Sequence, residues 1–176
     1  MKIPLLSLLL ALIFAIPVWA RLGETEDQLV SRYGKETGMR SAGQAPFTVT
    51  ILLFQKSGFD IEVTLLNGVS VQEWIKKSSG DKITNDEAGT LLRINNQGHF
   101  WSPLPSSVQW EQWSRQGAIS PLAGFHPNQI WERDDDAMAA LGVWGDYQGF
   151  MVKSKKLIDF EQAAYKAVHS TSLEGF

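Results

Sequence analysis

FTVTILLFQKSGFDIEVTLLNGVSVQEWIKK, residues 47–77, decides the reading of the fold. Phe47, Val49, Ile51 and Leu53 alternate with Thr48 and Thr50, and Phe59, Ile61, Val63 and Leu65 alternate with Asp60, Glu62 and Thr64. A period of two with one apolar face marks half-buried antiparallel strands. Ser57-Gly58 and Asn67-Gly68 supply short turns, and Asn-Gly is among the strongest hairpin signals. A third strand is expected over 69–77, with Val71 and Ile75 on one face and Trp74 on the other. Together these residues predict a three-stranded meander.

Upstream, Thr25-Glu26-Asp27-Gln28 reads as a capping box, and Gly34 supplies the residue that ends the helix it starts. Leu22, Leu29, Val30 and Tyr33 share one face of that helix. Its first-turn acids Glu24, Glu26 and Asp27 complement the helix dipole. Residues 35–46, rich in Gly, Ser and Thr, read as a loop. Downstream, Thr84-Asn85-Asp86-Glu87 opens a second helix, carrying Ala88, Leu91, Leu92 and Asn95 and ending near Gly98. Prolines break residues 102–130 into an irregular segment, with a short helix expected over 108–115. A second hairpin follows, with strands over 138–144 and 150–154, and Asp159-Phe160-Glu161-Gln162 caps a last helix. No internal repeat is clear, although a helix followed by a hairpin occurs more than once. The expected fold is α+β: an antiparallel sheet of about five to six strands, meander plus second hairpin, with helices packed on one face.

The N-terminus sets the compartment. In MKIPLLSLLLALIFAIPVWA, Lys2 is followed by an apolar run over residues 5–16, then Pro17 and a small-residue site around Val18 and Ala20. This is the pattern of a signal peptide cleaved after Ala20. The run is shorter than the roughly 20 residues that span hydrocarbon, and no other membrane segment is expected. Residues 21–176 then form a single domain. The chain is exported, to the periplasm or beyond, and with no cysteine it lacks both disulfides and a lipid attachment site. A net charge of −3 without a basic run excludes nucleic acid as the main partner.

Leu22-Gly23-Glu24-Thr25 followed by Arg32-Tyr33-Gly34 resembles the opening of exported bacterial proteins of unknown function. More distantly, a Gly-x-Thr, a helix, a Gly and a meander look like the small lipoprotein modules of outer-membrane assembly and the β-lactamase-inhibitor-like folds. The likeness covers residues 22–78 and departs from the lipoproteins where their lipid-bearing cysteine would stand. It implies a non-enzymatic protein-contact module with no catalytic residues to carry over.

Chemistry-bearing motifs are few. Asp134-Asp135-Asp136, beside Glu132, are consecutive and lack the glycine of a Ca²⁺ loop, so they read as a solvated turn and only as a weak cation candidate. His99, His126 and His169 lack metal-ligand spacing. Ser79-Gly80-Asp81-Lys82 matches Ser-x-x-Lys without its supporting elements. Apart from Trp19, the tryptophans are Trp74, Trp101, Trp110, Trp113, Trp131 and Trp144. They suit sheet core, but Trp110 and Trp113, with Trp101 and Trp131, also suit a contact surface for a ligand or partner. No cofactor is implied. The balance leans away from an enzyme, towards an exported module that contacts another envelope protein. The alternative is a glycan-binding or hydrolytic protein using the tryptophans of 101–131 with Glu111, Asp134 and Asp135.

Overall fold

The computed structural model describes residues 22–42, 49–105 and 125–170. The segment read as a signal peptide, Phe47, Trp110, Glu111, Trp113 and the helix expected over 108–115 lie outside them. Helix α1 spans Glu26–Tyr33 and is followed by strands β1 (Gly38–Ala42), β2 (Val49–Lys56), β3 (Phe59–Leu66) and β4 (Val69–Lys77). Helix α2 spans Asn85–Ile94 and is followed by β5 (Trp101–Pro103), β6 (Phe125–Arg133), β7 (Met138–Trp144) and β8 (Tyr147–Lys153). Helix α3, Lys155–Ser170, closes the order.

The local signals work as expected. The Gln28 side-chain oxygen accepts from the Thr25 N–H at 2.9 Å, and across the first turn of α2 the Glu87 carboxylate accepts from the Thr84 N–H while Thr84 Oγ accepts from the Glu87 N–H. Ser57-Gly58 and Asn67-Gly68 all take positive φ, as a two-residue primed turn requires. The acids of residues 134–136 form the β6–β7 turn.

All pairings are antiparallel, and the eight strands lie in the order β1-β2-β3-β4-β8-β7-β6-β5. The sheet therefore has eight strands, where the sequence suggested about five to six. One missed strand, β1, lies in the stretch read as a loop; a short edge strand needs little apolar periodicity because only one neighbour pairs with it. Two others, β5 and β6, lie within the segment read as irregular. Pro127 is tolerated there because the ladder shifts register between Pro127 and Gln129. Helix α2 stops at Ile94 with Asn95 as its cap, before Gly98. Helix α3 starts one turn earlier than read, with Ser154 Oγ accepting from the Leu157 N–H at 3.3 Å.

The helices do not share one face. Phe150 and Val152 of β8 join the cluster that contains Leu29 and Ala88 of α1 and α2. Met151, between them, joins Trp74, Phe125, Ile130 and Ile158 of α3 on the opposite face. Alternation along β8 thus assigns α1 and α2 to one side and α3 to the other. Under α3, Lys153 Nζ sits 3.0 Å from the Glu161 carboxylate, and both side chains are buried.

The helix-plus-four-strand order occurs twice. Counted from the two-residue turns, the pair Val63–Glu73 of the first half corresponds to Leu141–Phe150 of the second, and Glu62–Trp74 to Ala140–Met151. A two-fold axis normal to the sheet therefore passes through the Trp74–Met151 pair of the β4–β8 ladder.

Two glycines test the packing in opposite directions. A Cβ on Gly149 would overlap the Trp74 ring, so Gly149→Ala is expected to destabilise by about 1–3 kcal/mol in urea titrations. Gly89 stands mid-α2 with open space around it, so Gly89→Ala is expected to stabilise by about 0.5–1 kcal/mol. Removing one partner of the buried pair, as in Glu161→Ala, is expected to lower unfolding free energy by about 3–5 kcal/mol.

Candidate functional site

A groove of about 440 Å³ opens between α1 and α2 over the β2–β3–β4 end of the sheet. Its walls are apolar: Phe59, Ile61 and Ile75 from the sheet, Leu91 and Ile94 from α2, and the Tyr33 ring from α1. Polar groups line it as well. Arg32 and Lys56 lie together, Lys56 Nζ donating to the Arg32 carbonyl. Asp86, Glu87 and Thr90 stand on the α2 side.

Beneath the α1 wall lies a buried charged cluster. Residues 23–25 run along the start of β4, where Gly23 N–H donates to Ser70 O at 2.7 Å and Ser70 N–H donates to Glu24 O at 2.8 Å. This places the Glu24 carboxylate on Arg32 Nη2. Arg32 Nη1 lies 3.5 Å from Glu73 Oε1, and the Tyr33 hydroxyl donates to the same oxygen at 3.1 Å. Arg32 is 4% exposed and Glu73 is fully buried. Burial pushes the Glu73 carboxyl above its ordinary value, more than the Arg32 charge pulls it down. Burial, and then the Glu73 charge, push the Tyr33 phenol well above its usual range. Glu73 Oε2, Glu24 Oε2 and Arg32 Nε have no hydrogen-bond partner among the described residues.

The two halves of the fold differ at this place. Aligning the caps Thr25 and Thr84 puts Ile83, Leu91 and Leu92 where the first half has Glu24, Arg32 and Tyr33. The strand register puts Phe150 where it has Glu73. The second half is thus apolar at each position, and Ile83 and Ala88 form a hydrophobic staple there. The signal in the sequence was Glu73 itself, a charge two residues before Ile75 on β4; Val71, expected on the same face as Ile75, instead packs with Leu66 and with Leu157 of α3, because the ladder shifts register between Thr64 and Leu65. The partners of Glu73 share the Leu-Gly-Glu-Thr and Arg-Tyr-Gly stretches, where each charge has an innocent explanation as a helix-terminal residue.

The other candidates are placed as follows. Trp101 and Trp131 are half-buried against the core: Trp101 Nε1 donates to Leu92 O at 2.9 Å, and Trp131 lies 6.2 Å from the Phe150 ring. Trp74 is buried under α3. Asp134 and Asp135 meet His99, whose Nδ1 is 2.5 Å from Asp134 Oδ1, and one ligand atom from each lies within 4.8 Å of the others. These three could contact a metal ion, but Asp135 already takes two bonds from the buried Arg133, at 2.6 and 2.7 Å, which hold its carboxyl below the usual range. Asp136 is apart, facing Lys155 at 3.5 Å. His126 is exposed, and the side chain of His169 lies outside the described residues. Ser79 bonds Asp81 in an exposed turn, with no link to Lys82.

No family model matches this sequence, and no curated protein matches it. A solved structure described as a cysteine-rich secretory protein from Staphylococcus aureus aligns with a TM-score of 0.41 at 10% identity. The alignment covers 78% of this chain and 46% of that one, so this chain spans less than half of its length. Among the described residues, no helix is long and apolar enough to cross a membrane.

The cluster makes stability depend on pH. Glu73 ionises less readily folded than unfolded, so the folded chain retains the proton longer and stability falls as pH rises above about 4.5. Glu73→Gln removes that titration. Relative to the parent, the variant is expected to gain stability as pH rises above about 4.5. Parallel stability profiles in urea titrations would refute the assignment.

Proposed function

We propose that this chain is an exported, non-enzymatic binding module of the cell envelope, and that it takes an apolar group of a partner or ligand in the groove between α1 and α2. Export rests on the signal pattern of residues 1–20. The observation that carries the binding reading is the asymmetry between the halves. The same helix-plus-four-strand unit closes its core with Ile83, Leu91 and Phe150 in one copy and with Glu24, Arg32 and Glu73 in the other. Replacing buried ion pairs by apolar groups is often neutral or stabilising. The fold itself therefore has no need of these charges, and their place beside an open apolar groove points to a use there. Small-ligand sites have this composition: apolar walls and a few convergent polar groups.

The same geometry weighs against chemistry. Glu73 is sealed, and Asp135 is committed to Arg133. The half-buried Trp101 and Trp131 give no support to a glycan platform.

A neutral apolar dye, N-phenyl-1-naphthylamine, tests the groove in the mature chain. Its fluorescence is expected to rise on binding under native conditions. Thr90→Trp, a change at an exposed position on the α2 wall, is expected to abolish the rise and leave the melting temperature within a few degrees. A dye that fails to bind, or binds the variant equally, removes the groove as the binding surface. The triple variant Glu24→Ile, Arg32→Leu, Glu73→Leu, built after the second half, is expected to fold with unchanged stability or a gain of up to about 4 kcal/mol. A large loss of stability would make the cluster a requirement of the fold instead.

A further inference from the structure

We propose that the groove seats the side chain of a tryptophan carried by a partner polypeptide, in the place that Trp101 fills in the second half of this chain. This rests on the groove being the binding surface, and it names the occupant.

The equivalence of the two places follows from the register. The count that matches Val63 with Leu141 also matches Ile61 with Ala139 and Phe59 with Ala137. Phe54, opposite Ile61, then corresponds to Trp131, opposite Ala139. Lys56, opposite Phe59, corresponds to Arg133, whose N–H donates to Ala137 O at 2.8 Å. The two basic side chains act alike, each donating to a carbonyl at the end of a helix: Lys56 to Arg32 O, and Arg133 to Asn95 O at 2.6 Å.

In the second half this corner is closed. Trp101 of β5 stands opposite Arg133. Its ring lies 5.3 Å from the Arg133 guanidinium carbon, and its Nε1 donates to Leu92 O at 2.9 Å. No residue of β1 does the same in the first half, because β1 begins at Gly38, opposite Leu53, and does not reach Lys56. The corner belongs instead to the groove, which Tyr33, Lys56, Phe59 and Ile61 line. Phe59 and Ile61 are larger than Ala137 and Ala139 and raise its floor, yet about 440 Å³ remains open.

The counterparts of the groups that hold Trp101 are in place. Tyr33 O corresponds to Leu92 O. It ends α1, where helix carbonyls lack partners within the helix, and it accepts no hydrogen bond among the described residues. Arg133 is neutralised by Asp135, whereas Lys56 has no carboxylate partner among the described residues, so its ammonium is available to a ring face. The charged groups lining the groove balance, Arg32 and Lys56 against Asp86 and Glu87. A neutral occupant therefore complements it better than an ion. Indole is neutral, mostly apolar, and carries a single N–H donor and no acceptor. Tryptophan is also enriched among the residues that anchor protein interfaces.

The test is displacement of N-phenyl-1-naphthylamine from the mature chain by N-acetyl-tryptophanamide, N-acetyl-1-methyltryptophanamide, N-acetyl-leucinamide and free indole. The tryptophan amide is expected to compete at least about tenfold better than the leucine amide. Methylating the ring nitrogen removes the donor for Tyr33 O and is expected to weaken competition by about threefold or more. Lys56→Met is expected to narrow the preference for tryptophan over leucine by about two- to fivefold. Equal competition by tryptophan and leucine, no effect of the ring methyl, or an unchanged preference in Lys56→Met overturns the proposal while the dye still reports the groove. Free indole that displaces the dye at lower concentration than N-acetyl-tryptophanamide does overturns the polypeptide source. Absence of dye binding overturns the groove and the tryptophan together.

Discussion

Four residue pairs join the two halves into one molecule: Gln72–Lys153, Glu73–Val152, Trp74–Met151 and Ile75–Phe150. Each half alone is a four-stranded meander under a single helix. Pairing β4 with β8 removes one open edge from each half and leaves only the short β1 and β5 at the rims of an eight-stranded sheet. All eight residues of the junction are at most 2% exposed. Such burial on both faces requires cover on both, and α3 supplies it opposite α1 and α2. The placing of α3 follows from the junction, as does the fully desolvated setting of Glu73.

A charge in that setting is expensive to bury. The second half shows how the position can be filled without one, by Phe150 backed by Ile83 and Leu91. The first half instead holds Glu73 with a tyrosine, an arginine and a second glutamate delivered by the segment before α1. That segment is pinned by main-chain bonds to Ser70, so the cluster also ties residues 23–25 to the β3–β4 hairpin. The groove beside it is lined by both charged and apolar side chains, and among the described residues the positions equivalent to the cluster are apolar in the second half.

Much of the architecture was legible because its signals are local. The capping boxes at Thr25 and Thr84, the turns at Ser57-Gly58 and Asn67-Gly68, and the alternation along β3 each involve residues close in sequence, whereas the bulge in β4 that turns Val71 away from the face of Ile75 left no such signal. The β1 and β5 strands escaped because short edge strands carry almost no periodicity. The start of α3 was misplaced because Ser154, a single hydroxyl, is a weaker signal than the acids of residues 159–161. The site was not legible at all, since Glu24, Arg32 and Glu73 lie far apart in sequence and the first two look like ordinary helix-end charges.

The sequence by itself determined where helices and hairpins form, since capping, turn chemistry and side-chain alternation act over a few residues. Tertiary structure alone decided that β4 finds β8, that the halves are related by a two-fold axis, and that α3 takes the opposite face. It alone decided, too, that one half closes on a charged cluster beside a groove and the other on hydrocarbon. The physical reason is that desolvation is a property of the assembled sheet: until the ladder forms and both faces are covered, Glu73 is an exposed polar residue like any other.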